Sequence, residues 1–349
     1  MADKKGSKDR LPERISLAHG AGGSIMGEII ELISSIITEK NVPGGIGLKE
    51  LDDGGSIPLG DYQIIFSGDA HAVHPIFYPG GNIGKLAISG TVNDILMMGG
   101  TPLALGDTMV VEEGFEIKKL EEILRTMNET AKEARVAIIT GDFKVVPKGN
   151  IDEIIITTFG IGITKKNQVI LDSGLKPGNK IILTGSIGDH GIAIMAFREG
   201  IGFQTELESD NAPLVDTILP ALNAGKITAM KDPTRGGIAA ALNDFAEKSN
   251  VSIWIQESEI PIKSAVRAAS EMLGIDPFEV TCEGRALIGV DERDANHVLE
   301  VIKKTKYGKE AVIIGAVKAE RPGMVILETK VGGHRIIEMP YGEPIPRVC

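Results

Sequence analysis

Only two cysteines occur in the 349 residues, Cys282 and Cys349, so no disulfide framework can brace the fold. No apolar run approaches the roughly 20 residues needed to cross a bilayer, and the opening MADKKGSKDR lacks the apolar core of a secretory signal. The expectation is a soluble chain in a reducing cytoplasm, with free thiols. Basic surplus is missing too: 37 Lys and Arg against 48 Asp and Glu leave a formal net charge of -11. The two signs are interspersed along the helical segments, so neither nucleic acid nor membrane is expected as a partner. Small anionic ligands held by local sites fit this balance better.

Glycine is abundant, 43 residues or about 12% against an average of roughly 7%. Such a surplus marks tight turns and close approaches of backbone to ligand. Residues 1–14 are polar and are expected to be disordered. From residue 15, ISL reads as a short strand, HGAGG as a turn and SIMGEIIELISSII as an amphipathic helix. Strands follow at YQIIFSGD, LALGDTMVV, VAIITGD and DEIIITTFGIGIT, with helices at IGKLAISGTVNDILMMGG and FEIKKLEEILRTMNETAKEAR. The polar stretch KKNQVILDSGLKPG divides an N-terminal domain, 15–165, from a C-terminal one, 166–338. The second half again mixes strands and helices without strict alternation, which favours α+β layers over a doubly wound sheet. A terminal hairpin (GMVILETK, HRIIEM) precedes a tail, 339–349.

Carboxylates recur where apolar elements end or inside apolar helices. Asp69 closes YQIIFSGD, Asp94 follows Asn93 in an apolar helix, Asp142 closes VAIITGD and Asp232 precedes TRGG. A buried carboxylate costs several kcal/mol unless it is paired or bound to a cation. Each could be a simple cap, but four in like contexts suit magnesium bridging phosphates. Three glycine clusters precede helices, whose N-terminal amides can hold phosphate: HGAGGS with His19, Gly20, Gly22 and Gly23; PGGNIGK with Gly80, Gly81 and Lys85; and TRGG with Arg235, Gly236 and Gly237. None is a dinucleotide fingerprint or a P-loop, and each alone reads equally as a turn. Lys144 is a candidate phosphate contact and Glu283, ahead of the strand RALIGV, a candidate general base. The pair His71 and His74 lacks the further ligands of a zinc site, and Cys282 reads as an inert buried thiol.

The tail PYGEPIPRVC is the least ordinary stretch. Pro340, Pro344 and Pro346 forbid a helix and favour extended polyproline geometry, about 3.1 Å per residue. A thiol on a flexible strap reads as a swinging arm, or else as a frayed terminus or docking peptide.

SLAHGAGG, FYPGGNIGKLAISGTVNDILMMGG, TGDFKVV, MKDPTRGGIAAALN, EGRALIG and the terminal PRVC together resemble the HypE family of hydrogenase maturation factors. That family sits in the superfamily of aminoimidazole ribonucleotide synthetase, selenophosphate synthetase and thiamine-monophosphate kinase. The resemblance runs from about Leu17 to the end. It implies a two-domain aminoimidazole ribonucleotide synthetase-like fold: a homodimer whose N-terminal domains share a β-barrel and bind ATP, a C-terminal α/β sandwich and a flexible tail. It implies metal or nucleotide contacts at Asp53, Asp69, Asp94, Asp142 and Asp232, and Cys349 as the carrier; for the chemistry itself Glu283 is expected as base, Lys144 as a phosphate contact and Asn93 as a further catalytic residue. The implied activity is ATP- and Mg²⁺-dependent dehydration of a carbamoyl group on Cys349 to a thiocyanate. HypF would supply the carbamoyl group, and a HypC–HypD iron complex would receive cyanide for a [NiFe] hydrogenase. The rival reading is a small-molecule synthetase or kinase of the same superfamily.

Overall fold

The computed structural model describes residues 13–200, 207–342, 345 and 347–349. The expected disorder at 1–14 falls almost wholly outside the described residues. No strand forms at ISL; a single 3-10 turn, Leu17–Gly20, leads instead into helix α1 (Gly23–Ile36).

Alternating apolar residues then build an open, twisted sheet. Strands β1 (Gly55–Leu59) and β2 (Tyr62–His71) form a hairpin, and a second, short hairpin of β3 (Phe77–Tyr78) and β4 (Gly81–Asn82) runs into α2 (Ile83–Met97). The remaining elements of this half are β5 (Thr101–Glu112), α3 (Ile117–Ala134), β6 (Ala137–Val146) and β7 (Ile154–Lys165). The strand order is β1-β2-β7-β5-β6, antiparallel except that β6 runs parallel to β5 at an edge. Helix α2 is small and apolar on every side because it is buried all round, between the sheet and α3.

The second half comprises β8 (Lys180–Leu183), α4 (Asp189–Arg198), α5 (Val215–Ala224), β9 (Ile227–Lys231), α6 (Gly237–Lys248), β10 (Ser252–Gln256), α7 (Ser264–Leu273), β11 (Leu287–Val290), α8 (Ala295–Lys303), β12 (Val312–Lys318), β13 (Val325–Glu328) and β14 (His334–Ile337). Its seven strands lie in the order β14-β13-β10-β12-β8-β11-β9. Period-two alternation sends Ile181, Leu183 and Leu287 to one face, against Ile238, Leu242 and Phe245 of α6. Ile182 and Ile288 point the other way, into a core shared with α4, α5, α7 and α8 and continuous with α2 and α3. That shared core locks the two sheets together. Both halves are mixed α+β, as the sequence predicts.

Candidate active site

The carboxylates that sequence reading selects converge where the C-terminal ends of β2 and β9 meet α2. Ser67 donates to Asp94 at 2.6 Å, fixing that carboxylate toward β2. Two residues on, the ring of buried His71 lies 3.7 Å from Asp69. Gly90 makes this possible, because a Cβ on that face of α2 would sit only 2.9 Å from the His71 ring. Asp94, Asp232 and Glu283 are all held well above the ordinary carboxylate range, first by loss of water and then by neighbouring charge: that of Asp232 and Asp69 on Asp94 and Glu283, and that of Asp53 and Asp69 on Asp232.

Glu283 is 4% exposed, and Thr281 donates to its Oε1 at 3.2 Å. Its backbone N–H donates to Asp210 (3.1 Å), whose side chain also meets the Arg285 guanidinium at 3.5 Å. Asp53 lies beside the cluster, bound by Lys231 at 2.7 Å; burial raises its pKa to about 6 despite that partner. Lys231 also reaches Asp172 at 3.0 Å and Asp244 at 3.8 Å, so its charge is spread over three carboxylates.

One cation faces the cluster directly. Arg235, in the TRGG turn, is held charged first by the negative charge of Cys349 and then by Asp69, Glu283 and Asp94. The charge of the final residue therefore lies within reach of the cation that faces the acidic cluster of its own chain. The described residues of the tail are tied down. Ser24 and Ile25, the opening amides of α1, donate to the carbonyls of Pro340 (2.9 Å) and Tyr341 (3.4 Å). Ile345 and Val348 are 1% and 2% exposed in the main core, with Cys349 packed against it. An extended strap held off the body would leave those side chains in water; here their burial docks it.

The remaining predicted residues fall into three groups. Asn93 is fully engaged by backbone: it donates to the Ala212 carbonyl (3.1 Å) and accepts from Leu214 N–H (2.9 Å), pinning α2 to the approach of α5. Among the glycine clusters, Gly23 (φ 65°) packs so tightly on Pro340 that any Cβ would collide with its carbonyl oxygen, so HGAGG is a seat for the tail. His19 turns back to Ser16, and Arg235 reaches the Gly20 carbonyl at 3.3 Å. In PGGNIGK the amides of Gly84 and Lys85 are capped by Asn82, and Lys85 bonds the Gly80 carbonyl (2.9 Å). Asp142 and Lys144 pair with each other at 3.3 Å on the exposed strand β6 and do not join the cluster within one chain.

No three of the site carboxylates bring an oxygen each within 4.8 Å of one another; among the described residues only His74, Asp152 and Glu153 do so, and Arg347 already holds Asp152. A caged all-protein cation site is therefore absent among the described residues. Magnesium, which takes one or two carboxylates and completes its shell with water and phosphate, fits the crowding of Asp69, Asp94 and Asp232, whose mutual repulsion a cation would relieve. The sequence singles out His71 only as an unsupported zinc ligand and gives Ser67 and Asp210 no role; the signal for the first two is their period-two spacing with Asp69 on β2.

The models of the AIR synthase related protein family match this chain over residues 51–164 (N-terminal domain) and 176–328 (C-terminal domain). A carbamoyl dehydratase HypE of Rhizobium leguminosarum bv. viciae is 41% identical over 96% of this chain and 95% of its own. The chain belongs to the HypE family. A hydrogenase expression/formation protein of Methanocaldococcus jannaschii is 49% identical over 96% of this chain and all of its own. Among solved structures, a HypE–HypF complex matches with a TM-score of 0.83 at 38% identity, covering 89% of this chain and 99% of that one. A HypE in complex with ATP matches with a TM-score of 0.80 at 35% identity, covering 96% of this chain and all of that one. No helix among the described residues is long and apolar enough to cross a membrane.

Proposed function

We propose that this chain is an ATP-dependent carbamoyl dehydratase that converts S-carbamoyl-Cys349 to S-cyano-Cys349 for hydrogenase maturation. The observation that carries the reading is that Arg235 answers both to the charge of Cys349 and to that of Asp69, Glu283 and Asp94 in the acidic cluster. The family supplies the chemistry: relatives bear the carbamoyl dehydratase name, one solved relative holds ATP and another is bound to HypF. HypF is accordingly the proposed carbamoyl donor, and a HypC–HypD iron complex the proposed acceptor of cyanide.

The carbamoyl oxygen attacks the γ-phosphorus of ATP, forming C–O–P and expelling ADP as one N–H proton leaves. The second N–H proton then departs as the C–O bond breaks, releasing phosphate and leaving S–C≡N. Glu283 suits the base role because burial among carboxylates makes it more basic than an exposed glutamate. Arg235 stands where charge gathers on the transferring phosphoryl group. Asp69, Asp94 and Asp232 would hold magnesium, which when bound offsets phosphate charge. These carboxylates must ionise to bind it, so adding Mg²⁺ with a non-hydrolysable ATP analogue at pH 6 should release protons, and Asp94→Asn should release fewer. Calorimetry in buffers of different ionisation enthalpy reads this; buffer-independent heats would contradict the assignment. ADP release should also require carbamoylation of the tail. Equal ADP release from the free-thiol chain would favour the small-molecule kinase reading.

A homodimer with a shared barrel is part of the proposal. Strand β6 is exposed on both faces: the uncovered side of the sheet presents Ile57, Phe66 and Ile161 to solvent, and β6 itself adds exposed Ile139, Phe143 and Val145 at the edge. An apolar edge of this kind calls for a second strand. It also gives Asp142 and Lys144 a place to act, at the seam between copies. Phe143→Asp should shift the chain to monomer in light scattering and lose dehydration; a Phe143→Asp dimer of full activity would refute this interface.

A further inference from the structure

Four separate segments meet around the last three residues of the chain. Arg347 Nη1 donates to Asp152 Oδ2 at 2.6 Å, from the turn between β6 and β7. Its Nε reaches the Ala72 carbonyl at 3.4 Å, and its own carbonyl accepts from His74 N–H at 3.1 Å, both in the loop after β2. The His74 ring closes on the same carboxylate, with Nδ1 3.5 Å from Asp152. One residue further, the Val348 carbonyl lies 2.6 Å from Nε2 of His190, a residue of α4 with no solvent exposure. The other ring nitrogen of His190 meets Ser209 Oγ at 2.7 Å, and Ser209 Oγ accepts from Asn211 N–H. That order fixes the ring: Ser209 gives its hydroxyl proton to Nδ1, leaving Nε2–H to donate to the tail.

Arg347 sits at φ 59°, a conformation that side-chain-bearing residues adopt rarely and only when their surroundings hold them there. At this residue the chain turns, sending the Val348 side chain into the core, with Cys349 packed against that core and its charge felt by Arg235. The contacts are divided in a telling way. One grips the guanidinium, one the backbone of residue 347 and one the backbone of 348, so a tail shifted by one residue would satisfy none of them together. The buried His190 nitrogen and the Val348 carbonyl would both lose a partner on such a shift, whereas the Arg347–Asp152 pair is half-exposed and opens cheaply.

We propose that Asp152, His74 and His190 form a receptor for the terminal Arg-Val-Cys segment, positioning residues that set the register of the tail and thereby place the Cys349 sulfur in the site. His190 is the deep anchor and Asp152 the releasable clasp. The proposal extends the dehydratase reading, since it assumes that the sulfur at residue 349 is the group to be placed. Docking itself can be read without a carbamoyl group or ATP.

The test is the rate of iodoacetamide modification of Cys349 in the full chain, read by peptide mass spectrometry, with buried Cys282 as internal reference. Asp152→Ala and Arg347→Ala should each speed modification by about twofold to fivefold, the range of an exposed ion pair. The double variant should be no faster than either single, and Asp152→Glu should restore protection. His190→Leu should expose the thiol on the order of tenfold, while His190→Gln, which keeps a donor, should protect it. In turnover, Asp152→Ala should slow dehydration of the carbamoylated tail with the ATP dependence unchanged. Parent-like protection in both single variants, or accelerations that add in the double variant, would overturn the receptor. Changed protection in a chain that never forms thiocyanate would instead sink the dehydratase reading and leave the receptor standing.

Discussion

Cys349→Ala is expected to abolish thiocyanate formation completely while leaving the fold and nucleotide affinity as they are. The side chain lost is small, and Ile345 and Val348 still anchor the tail in the core. No second thiol can stand in. Cys282 has no solvent exposure, accepts a hydrogen bond from Gly188 N–H at 3.3 Å and is pushed well above the ordinary thiol range by burial, so it offers neither access nor thiolate. Intact-mass measurement after incubation with HypF, its carbamoyl donor and ATP should find no adduct on this variant, and calorimetry should find parent-like ATP binding. A carbamoyl or cyano adduct on Cys282 would remove Cys349 from the carrier role.

Glu283→Gln should accumulate the carbamoylated chain, with dehydration slowed about 10²- to 10⁴-fold, the range for loss of a general base. The same substitution separates catalysis from folding. Because folding raises the pKa of Glu283, the native chain holds that proton more tightly than the unfolded one does. Its contribution to stability therefore declines as pH rises from the ordinary glutamate range, near 4.5, toward the raised native value. Gln carries no charge to bury, so Glu283→Gln should be as stable as the parent or more so near neutrality. Thermal melts across pH check this: a less stable variant would mean that its inactivity reports damage to the fold. Normal dehydration by a stable Glu283→Gln chain would exclude the residue as base.

Much of this site was legible because the physical signals were local. Asp69, Asp94 and Asp232 stood out as charges at the ends of apolar elements, and they do share a cluster. The strands around Tyr62, Leu103 and Ile154 announced themselves by alternation. Short strands did not: β1 contains glycine and proline, and β9, in KITAMK, has too few β-formers to stand out. The glycine clusters show a different limit. Nothing local in HGAGGS reveals that its helix amides bind carbonyls of residues 340 and 341, more than three hundred positions away. In PGGNIGK the cap was readable, since Asn82 directly precedes the helix.

The tail was read from its prolines as an extended strap, and its apolar residues were passed over. Ile345 and Val348 flanking Pro346 and Arg347 were the available sign that it could dock as well as extend. Strand β6 shows the converse. Its apolar sequence predicts burial, yet within one chain it is exposed along almost its whole length, as the proposed interface between copies requires. Asp142, a charge closing an apolar strand, and Lys144 two residues beyond it lie on that edge, away from the cluster within one chain.

The central claim is that ATP dehydrates a carbamoyl group carried on Cys349 by phosphorylating its oxygen. Heavy-oxygen labelling of that carbamoyl oxygen, followed by Mg²⁺ and ATP, tests it most directly. The label should leave in inorganic phosphate while the Cys349 peptide becomes a thiocyanate. Label that stays on the protein or passes into water, with phosphate unlabelled, would contradict the account.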